Sequence, residues 1–368
     1  MIHVVHVVTR TNIGGVSSYL RTLVEATITH DIRHTVIRGT SGVDEGDYFR
    51  AHSIPAEIID LPAMQRTINP FRELSSLLSL MRILRQLKPD IVHTHMAKAG
   101  VLGRLAAVLS RVPIRIHTFH GHLLTGYFRP ALVRIIVGVE RLLQHITTWT
   151  TVNGETVRQD LIGRGVLTEE RSTNIPPAVS DPPRHSKKLA RDALNLPQQG
   201  LIVGFVGRLA PIKRPERVVA LARVFPQTLF IICGDGPLAK SLESQASDLA
   251  NVRFMGWVTD TSFVYAAIDV LVLTSENEAV PTVLIEAALA GVPIVATDVG
   301  SVSEIVKHNE TGLLAPHEDD LITHTADLLN SPALRISLGN RAMATARQHF
   351  SVEIFVRRHL DLYRTLSR

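Results

Sequence analysis

At 368 residues, 45% of them hydrophobic and 20% charged, the chain has the composition of a folded protein long enough for two domains, which excludes a disordered or fibrous one. Its single cysteine, Cys233, excludes an intramolecular disulfide and a thiolate zinc cluster. The net charge of +5 suits a phosphorylated substrate or an anionic surface, whereas the 5% aromatic content, with no basic tract interleaved with aromatics, argues against nucleic acid.

The first element is an apolar strand over residues 2–8, without the layout of a secretory leader, so a cytoplasmic location is the expectation. A Gly14-Gly15 turn leads into a helix over 16–28. Further strands are expected at 35–38, 91–94 and 114–118, and the spacing of Leu, Ile and Met over 71–88 predicts a helix that Pro89 closes. Residues 127–146 are rich in Leu, Ile and Val yet carry Arg129, Arg134, Glu140 and Arg141, so they cannot span a bilayer. As an amphipathic helix they would place Arg134 and Arg141 on one face. Such a helix can pack on its own sheet, dock on an anionic leaflet, or do both.

Four prolines, Pro176, Pro177, Pro182 and Pro183, and a basic tail mark residues 176–190 as a linker. The second half restarts with strands at 201–206, 229–233, 252–254, 270–273 and 294–296. Cys233 ends one of these apolar runs and reads as a buried structural thiol rather than a reactive one. Strands alternating with helices define an α/β fold with a parallel sheet in each half. The expected domains are 1–175 and 191–350, with 351–368 a C-terminal helix that can return to the first. Ligands of such sheets bind beyond the carboxyl ends of the strands, which predicts a cleft between the halves.

The chemistry concentrates in residues 275–286, where Glu278 and Glu286, eight positions apart, flank a helix start at Pro281-Thr282. The free N–H groups of a helix start favour an anion, and carboxylates favour hydroxyl groups. A nucleotide sugar satisfies both. Arg208 and Lys213 follow the first strand of the second half, where a guanidinium fork and an ammonium can meet a diphosphate. Gly14-Gly15 offers a turn whose backbone can approach a ligand closely. Among the histidines, His93 and His95, and His120 and His122, have an i, i+2 spacing that could aim two imidazoles at a metal. No acidic or cysteine ligand accompanies them, and a metal site is not expected.

Four places together carry a family resemblance: Thr11-Asn12-Ile13-Gly14-Gly15, the run 117–122 (His-Thr-Phe-His-Gly-His), the run 206–213 containing Arg208 and Lys213, and the run 278–286. In their order and spacing the chain resembles the retaining glycosyltransferases of family four over essentially its whole length. It looks like the members found in bacterial exopolysaccharide and cell-envelope synthesis. The resemblance implies the GT-B architecture, two Rossmann-like domains facing across a cleft, and transfer from a nucleotide diphosphate sugar without a metal cofactor. It implies that Arg208 and Lys213 bind the diphosphate and that Glu278 meets the donor sugar. Glu286 would hold the ribose hydroxyls and the N–H groups of Val283 and Leu284 the distal phosphate. Gly14 and Gly15 would border phosphate and acceptor, and His120 would steady the reacting sugar. His95, Lys98 and His122 are acceptor-side candidates or simply a polar rim. A UDP-sugar donor, a lipid-linked or glycan acceptor and an inner-leaflet location follow by the same analogy.

The chain departs from the family pattern at Ala279, at Ala178 and at Ser301, where glycine is usual, which bears on donor preference rather than on activity. Two other functions share the build: a sugar-nucleotide epimerase, and a non-catalytic nucleotide-sugar-binding subunit of a polysaccharide assembly.

Overall fold

The computed structural model describes residues 1–12, 14–40, 46–65, 67–121 and 129–368. The chain divides into two compact units, Met1–Ala178 with Val352–Arg368, and Val179–Ser351.

The sheet of the first unit is built from β1 (Ile2–Val8), β2 (Ile32–Arg38), β3 (Glu57–Asp60), β4 (Ile91–His95), β5 (Ile114–Phe119), β6 (Trp149–Val152) and β7 (Ser172–Asn174). Its order is β3-β2-β1-β4-β5-β6-β7 and the strands pair in parallel. Chain order reverses between β1 and β4, the topological switch point. β1 is buried along Val4–Val8 because helices cover both faces, as parallel sheets require. On one face Val5, Val7 and Val92 pack against the helices Pro70–Leu87 and Ala97–Leu109. On the other, Val4, Ile91 and Ile116 pack against Val356, Leu360 and Tyr363 of the C-terminal helix Val352–Leu366. That helix belongs to the first unit although it ends the chain.

The second unit has β8 (Ile202–Val206), β9 (Leu229–Cys233), β10 (Val252–Gly256), β11 (Val270–Leu273), β12 (Ile294–Thr297) and β13 (Leu313–Ala315), in the order β10-β9-β8-β11-β12-β13. Its switch point lies between β8 and β11. Residues 187–190, the end of the expected linker, instead start a helix, Lys187–Ala193, capped by Ser186 Oγ, which accepts from Leu189 N–H. Buried Arg191 explains the difference: it bonds Asp269 Oδ2 at 2.9 Å and the Ala267 carbonyl at 3.0 Å, fixing the segment to the second unit.

The apolar strands lie where the sequence puts them, β9 and β11 to the residue. β3, β6, β7 and β13 were not anticipated. β7 is Ser-Thr-Asn, β6 carries two threonines, and β3 is a largely exposed edge, so these three lack the continuous apolar run of a buried strand; β13, Leu-Leu-Ala, is apolar and buried but only three residues long. Cys233 is buried, and burial pushes its thiol up to about 12, the signature of an inert structural cysteine.

Candidate active site

Each half of the candidate site in the second unit hangs from a strand at that unit's switch point. β8 runs into Gly207-Arg208, and a single 3-10 turn, Pro211–Lys213, brings Lys213 back. β11 runs into Thr274 and on to Glu278 and the helix Thr282–Leu289. The loops are laced together. Glu276 N–H donates to Ile212 O at 2.9 Å, and Thr274 Oγ1 lies 3.0 Å from the carbonyls of both Lys213 and Arg214. Backbone closeness at two points demands glycine. A Cβ on Gly234 would stand 1.9 Å from Gly207 O, and one on Gly300, whose φ is +54°, would stand 1.9 Å from Glu278 O. Ser301 N–H donates to the same Glu278 carbonyl at 3.2 Å. Gly300 is therefore fixed by geometry, whereas Ser301 accommodates a side chain where a second glycine was noted as usual.

These loops bring Lys213 and Glu278 together. Lys213 Nζ lies 2.5 Å from Glu278 Oε1, and Ser275 Oγ donates to the same oxygen at 2.6 Å. Glu278 is buried and Lys213 a quarter exposed. Arg208 is exposed and its guanidinium has no ion-pair or hydrogen-bond partner among the described residues. Glu286, one turn into its helix, accepts from Tyr265 OH at 2.7 Å and Thr261 Oγ1 at 3.4 Å, both on Oε2. Burial raises the Glu286 pKa, and those two hydrogen bonds oppose the shift. Its Oε1 takes no hydrogen bond from a described residue. Leu284 N–H, expected to be open to an anion, instead donates to Pro281 O at 3.1 Å; the uncommitted N–H groups of this helix start are those of Thr282 and Val283.

In the first unit, Gly14 and Gly15 open the helix Gly15–Thr27, and no side chain caps it. A Cβ at Gly15 would meet nothing within 4 Å, so the fold itself does not require glycine there. His120 follows β5. Its Nε2 is 2.9 Å from His95 Nδ1 and its Nδ1 is 3.1 Å from Asn153 Nδ2. Both ring nitrogens are thus committed, which the sequence did not reveal. Burial, then neighbouring His359, pulls its pKa down to about 3, so the ring is neutral.

Two acceptor-side candidates are corrected. His95 is fully buried and bonded to His120 and His6, because its strand lies inside the sheet. Lys98 gives its ammonium to Glu73 Oε1 at 2.5 Å and to the Thr67 carbonyl at 2.6 Å, an internal tie between helices rather than a contact for a ligand. His122 lies outside the described residues. Of the two histidine pairs named from the sequence, His93 and His95 do converge, and His6 joins them. His6, His93 and His95 bring one nitrogen each within 4.8 Å of one another. Those nitrogens are engaged: His6 Nδ1 with His95 Nε2 at 3.1 Å, and His93 with Tyr363 OH at 2.7 Å and Thr118 Oγ1 at 2.6 Å. His6 and His34 were missed, although a histidine inside an otherwise apolar strand is itself a signal of a buried polar network.

Two doubly wound Rossmann-like units, the second with cations and carboxylates gathered at its switch point, make up the GT-B architecture. Residues 13–181 match the family model Glycosyltransferase Family 4 and residues 186–345 match Glycosyl transferases group 1. The chain belongs to the family-four glycosyltransferases. It is 29% identical over 273 residues to the UDP-Gal:alpha-D-GlcNAc-diphosphoundecaprenol alpha-1,3-galactosyltransferase of Escherichia coli, covering 70% of each chain. It is 25% identical over 340 residues to the capsular polysaccharide biosynthesis glycosyltransferase CapM of Staphylococcus aureus, covering 85% of this chain and 86% of that protein. Among solved structures, Anabaena Alr3699/HepE in complex with UDP-glucose superposes with a TM-score of 0.85 at 21% identity, over 99% of this chain and 100% of that one.

Proposed function

We propose that the chain transfers a hexose from a UDP-linked donor, with retention at the anomeric carbon and without a divalent metal, to a hydroxyl of a lipid-linked or glycan acceptor in envelope polysaccharide synthesis. The observation that carries this reading is the convergence at one switch point of an unpaired guanidinium, the Lys213–Glu278 pair and a Glu286 carboxylate with an open oxygen. Arg208 and Lys213 take the diphosphate, Glu278 the hydroxyls of the sugar and Glu286 those of the ribose. As the bond to the diphosphate breaks, the acceptor oxygen attacks from the same face and passes its proton to the leaving phosphate oxygen. The cations stabilise the negative charge that develops there. His120 is assigned to the sugar. The E. coli relative is described as using UDP-Gal and the Anabaena protein is seen with UDP-glucose, which supports UDP as the donor nucleotide.

Incubation with UDP-, GDP-, ADP- and TDP-sugars and no added metal is expected to raise the melting temperature with a UDP-sugar alone. Saturation at a hundred times the dissociation constant contributes about 2.7 kcal/mol. Transfer of labelled sugar to a lipid-diphosphate saccharide should follow, with the anomeric configuration kept. Conversion of the donor without acceptor would instead mark an epimerase, and binding without turnover a non-catalytic subunit.

We also propose that the first unit docks on the inner leaflet of the plasma membrane. No helix among the described residues is long and apolar enough to cross a membrane. The helix Pro130–Gln144 nevertheless exposes a stripe of Leu132, Ile135, Val139 and Leu142, with Ile135 62% and Leu142 70% exposed. Pro70–Leu87 exposes a second stripe, Phe71, Leu74 and Leu78. Both lie in one helical layer, with Ala97–Leu109 packed on the second helix and joined to the first through Arg104 and Glu140. Arg134 and Arg72, exposed beside the stripes, complement an anionic surface. Ile135→Ser with Leu142→Ser should reduce partition into phosphatidylglycerol-containing vesicles by about tenfold or more, since each buried side chain is worth about 1.5–3 kcal/mol. The melting temperature should not change. Unaltered sedimentation with vesicles would remove this face as the docking site.

A further inference from the structure

Beneath the C-terminal helix, four imidazoles form one unbroken hydrogen-bonded line across the first sheet. His34 Nδ1 is 3.0 Å from His6 Nε2, His6 Nδ1 is 3.1 Å from His95 Nε2, and His95 Nδ1 is 2.9 Å from His120 Nε2. The line steps from β2 to β1 to β4 and ends just after β5. At its inner end His34 Nε2 is 2.9 Å from Thr27 Oγ1, which is itself 2.5 Å from Leu23 O. At its outer end His120 Nδ1 meets Asn153 Nδ2 at 3.1 Å.

The polarity of the line follows from its inner end. A carbonyl only accepts, so Thr27 gives its one proton to Leu23 and must accept from His34. His34 therefore carries its proton on Nε2 and offers Nδ1 as an acceptor to His6. The same step repeats through His6 and His95 to His120. Each ring is the Nε2–H tautomer, and His120 is left with a lone pair on Nδ1. The outer end agrees, because Asn153 presents its amide nitrogen, a donor, to that lone pair. Asn153 Oδ1 is then buried with no partner among the described residues, in a residue only 6% exposed. The groups packed around the line, His93, His359, Tyr19 and Tyr363, are themselves held uncharged by burial.

We propose that His34, His6 and His95 are positioning residues that lock His120 as the Nε2–H tautomer, so that its Nδ1 accepts from Asn153 Nδ2 and the amide is held with its Oδ1 as the hydrogen-bond acceptor for a hydroxyl of the substrate. A hydroxyl-bearing substrate donates its hydrogen bond to Asn153 Oδ1, and His120 donates nothing to it, since its one N–H is spent on His95 and its lone pair on Asn153. A freely rotating or freely tautomerising imidazole would present a donor half the time and blur that selection. The line removes the ambiguity without a charged group, which the buried sheet would make costly. This inference rests on the glycosyl-transfer reading only for the nature of the hydroxyl; the lock itself is a property of the free protein.

The test is the long-range proton–nitrogen spectrum of the full chain labelled with 15N-histidine, at neutral pH. His6, His34, His95 and His120 should all show the neutral Nε2–H pattern, and an Nδ1–H or cationic ring at any of them would overturn the lock. Chemical-shift changes at His6 and His95 on adding Zn2+ alone would overturn it too, by showing a metal site in its place. His95→Leu should mix the His120 tautomers and lower kcat about tenfold, the worth of one neutral hydrogen bond, with the donor KM unchanged. His95→Gln, whose amide both accepts and donates, should recover most of that loss. Unchanged kcat in His95→Leu would sink the positioning role. Should His95→Leu fail to fold, Thr27→Val keeps the shape and removes the inner anchor; an Nδ1–H signal at His120 is expected, and its absence would overturn the assigned polarity. The spectra need no turnover, so they stand or fall separately from the proposed reaction.

Discussion

Glu278→Gln is expected to bind UDP at least as tightly as the native protein while its turnover falls about 10²–10³-fold, the scale of losing a group that acts on the transition state. Lys213→Ala should lose both. The contrast comes from the ion pair the structure reveals. With Lys213 Nζ 2.5 Å from Glu278 Oε1, a diphosphate competes with the carboxylate for the ammonium. Glutamine keeps the size of the side chain and the hydrogen bond from Ser275 Oγ, but it releases Lys213 to the phosphates, so nucleotide affinity holds or rises. It cannot hold the sugar hydroxyls as an anion, so transfer suffers. Alanine at 213 removes the phosphate's cation and also leaves buried Glu278 with only Ser275, at a further cost to stability of about 1–3 kcal/mol. Arg208→Ala should weaken UDP binding with no loss of stability, because Arg208 is exposed and unpaired. Calorimetry with UDP and initial rates for the three variants separate these outcomes. Equal loss of affinity in all three, with normal turnover in Glu278→Gln, would remove the assigned roles.

How far the sequence carried depends on the kind of information each feature needs. β9 and β11 were legible because a buried parallel strand is a continuous apolar run with charged residues at its end, and the same punctuation exposed Arg208, Lys213 and Glu278. Strands such as Ser172–Asn174 were not, since three polar residues become a strand only through the neighbour they pair with. Partnerships were least legible of all. Lys98 reads from the sequence as an acceptor-side candidate or part of a polar rim, and only the packing of two helices shows Glu73 beside it. His120 reads only as a histidine that steadies the reacting sugar. Its bond to His95 depends on strand register, in which His95 pairs with Thr118, two residues before it. Glu140 looked like one charge among several on an amphipathic segment; it is in fact the buried one, because it answers an arginine 36 positions earlier.

That buried pair yields the largest stability effect expected in the molecule. Arg104 is fully buried; its Nη2 bonds both oxygens of Glu140 at 3.0 and 2.8 Å, and its Nε donates to Gly100 O at 2.7 Å. Burial pulls the Arg104 pKa down and Glu140 opposes the shift, but arginine keeps its proton in any case. Removing one partner therefore strands the other charge inside the helical layer. Glu140→Leu and Arg104→Met should each cost about 3–5 kcal/mol. For a unit of this size that lowers the melting temperature by roughly 10 °C, at about 2–4 °C per kcal/mol. The double variant should recover most of the loss, because two well-packed apolar side chains replace a desolvated pair at little net cost. The expected coupling is then large and opposite in sign to the single effects, which a double-mutant cycle reads directly. Single variants that each cost less than 1 kcal/mol, or a double variant as unstable as the sum of the two, would mean that water reaches the pair. The helix Pro130–Gln144 would then be held by its apolar contacts, Val133, Ile136 and Val137 against Phe119 and Val152, and the charge would be incidental to it.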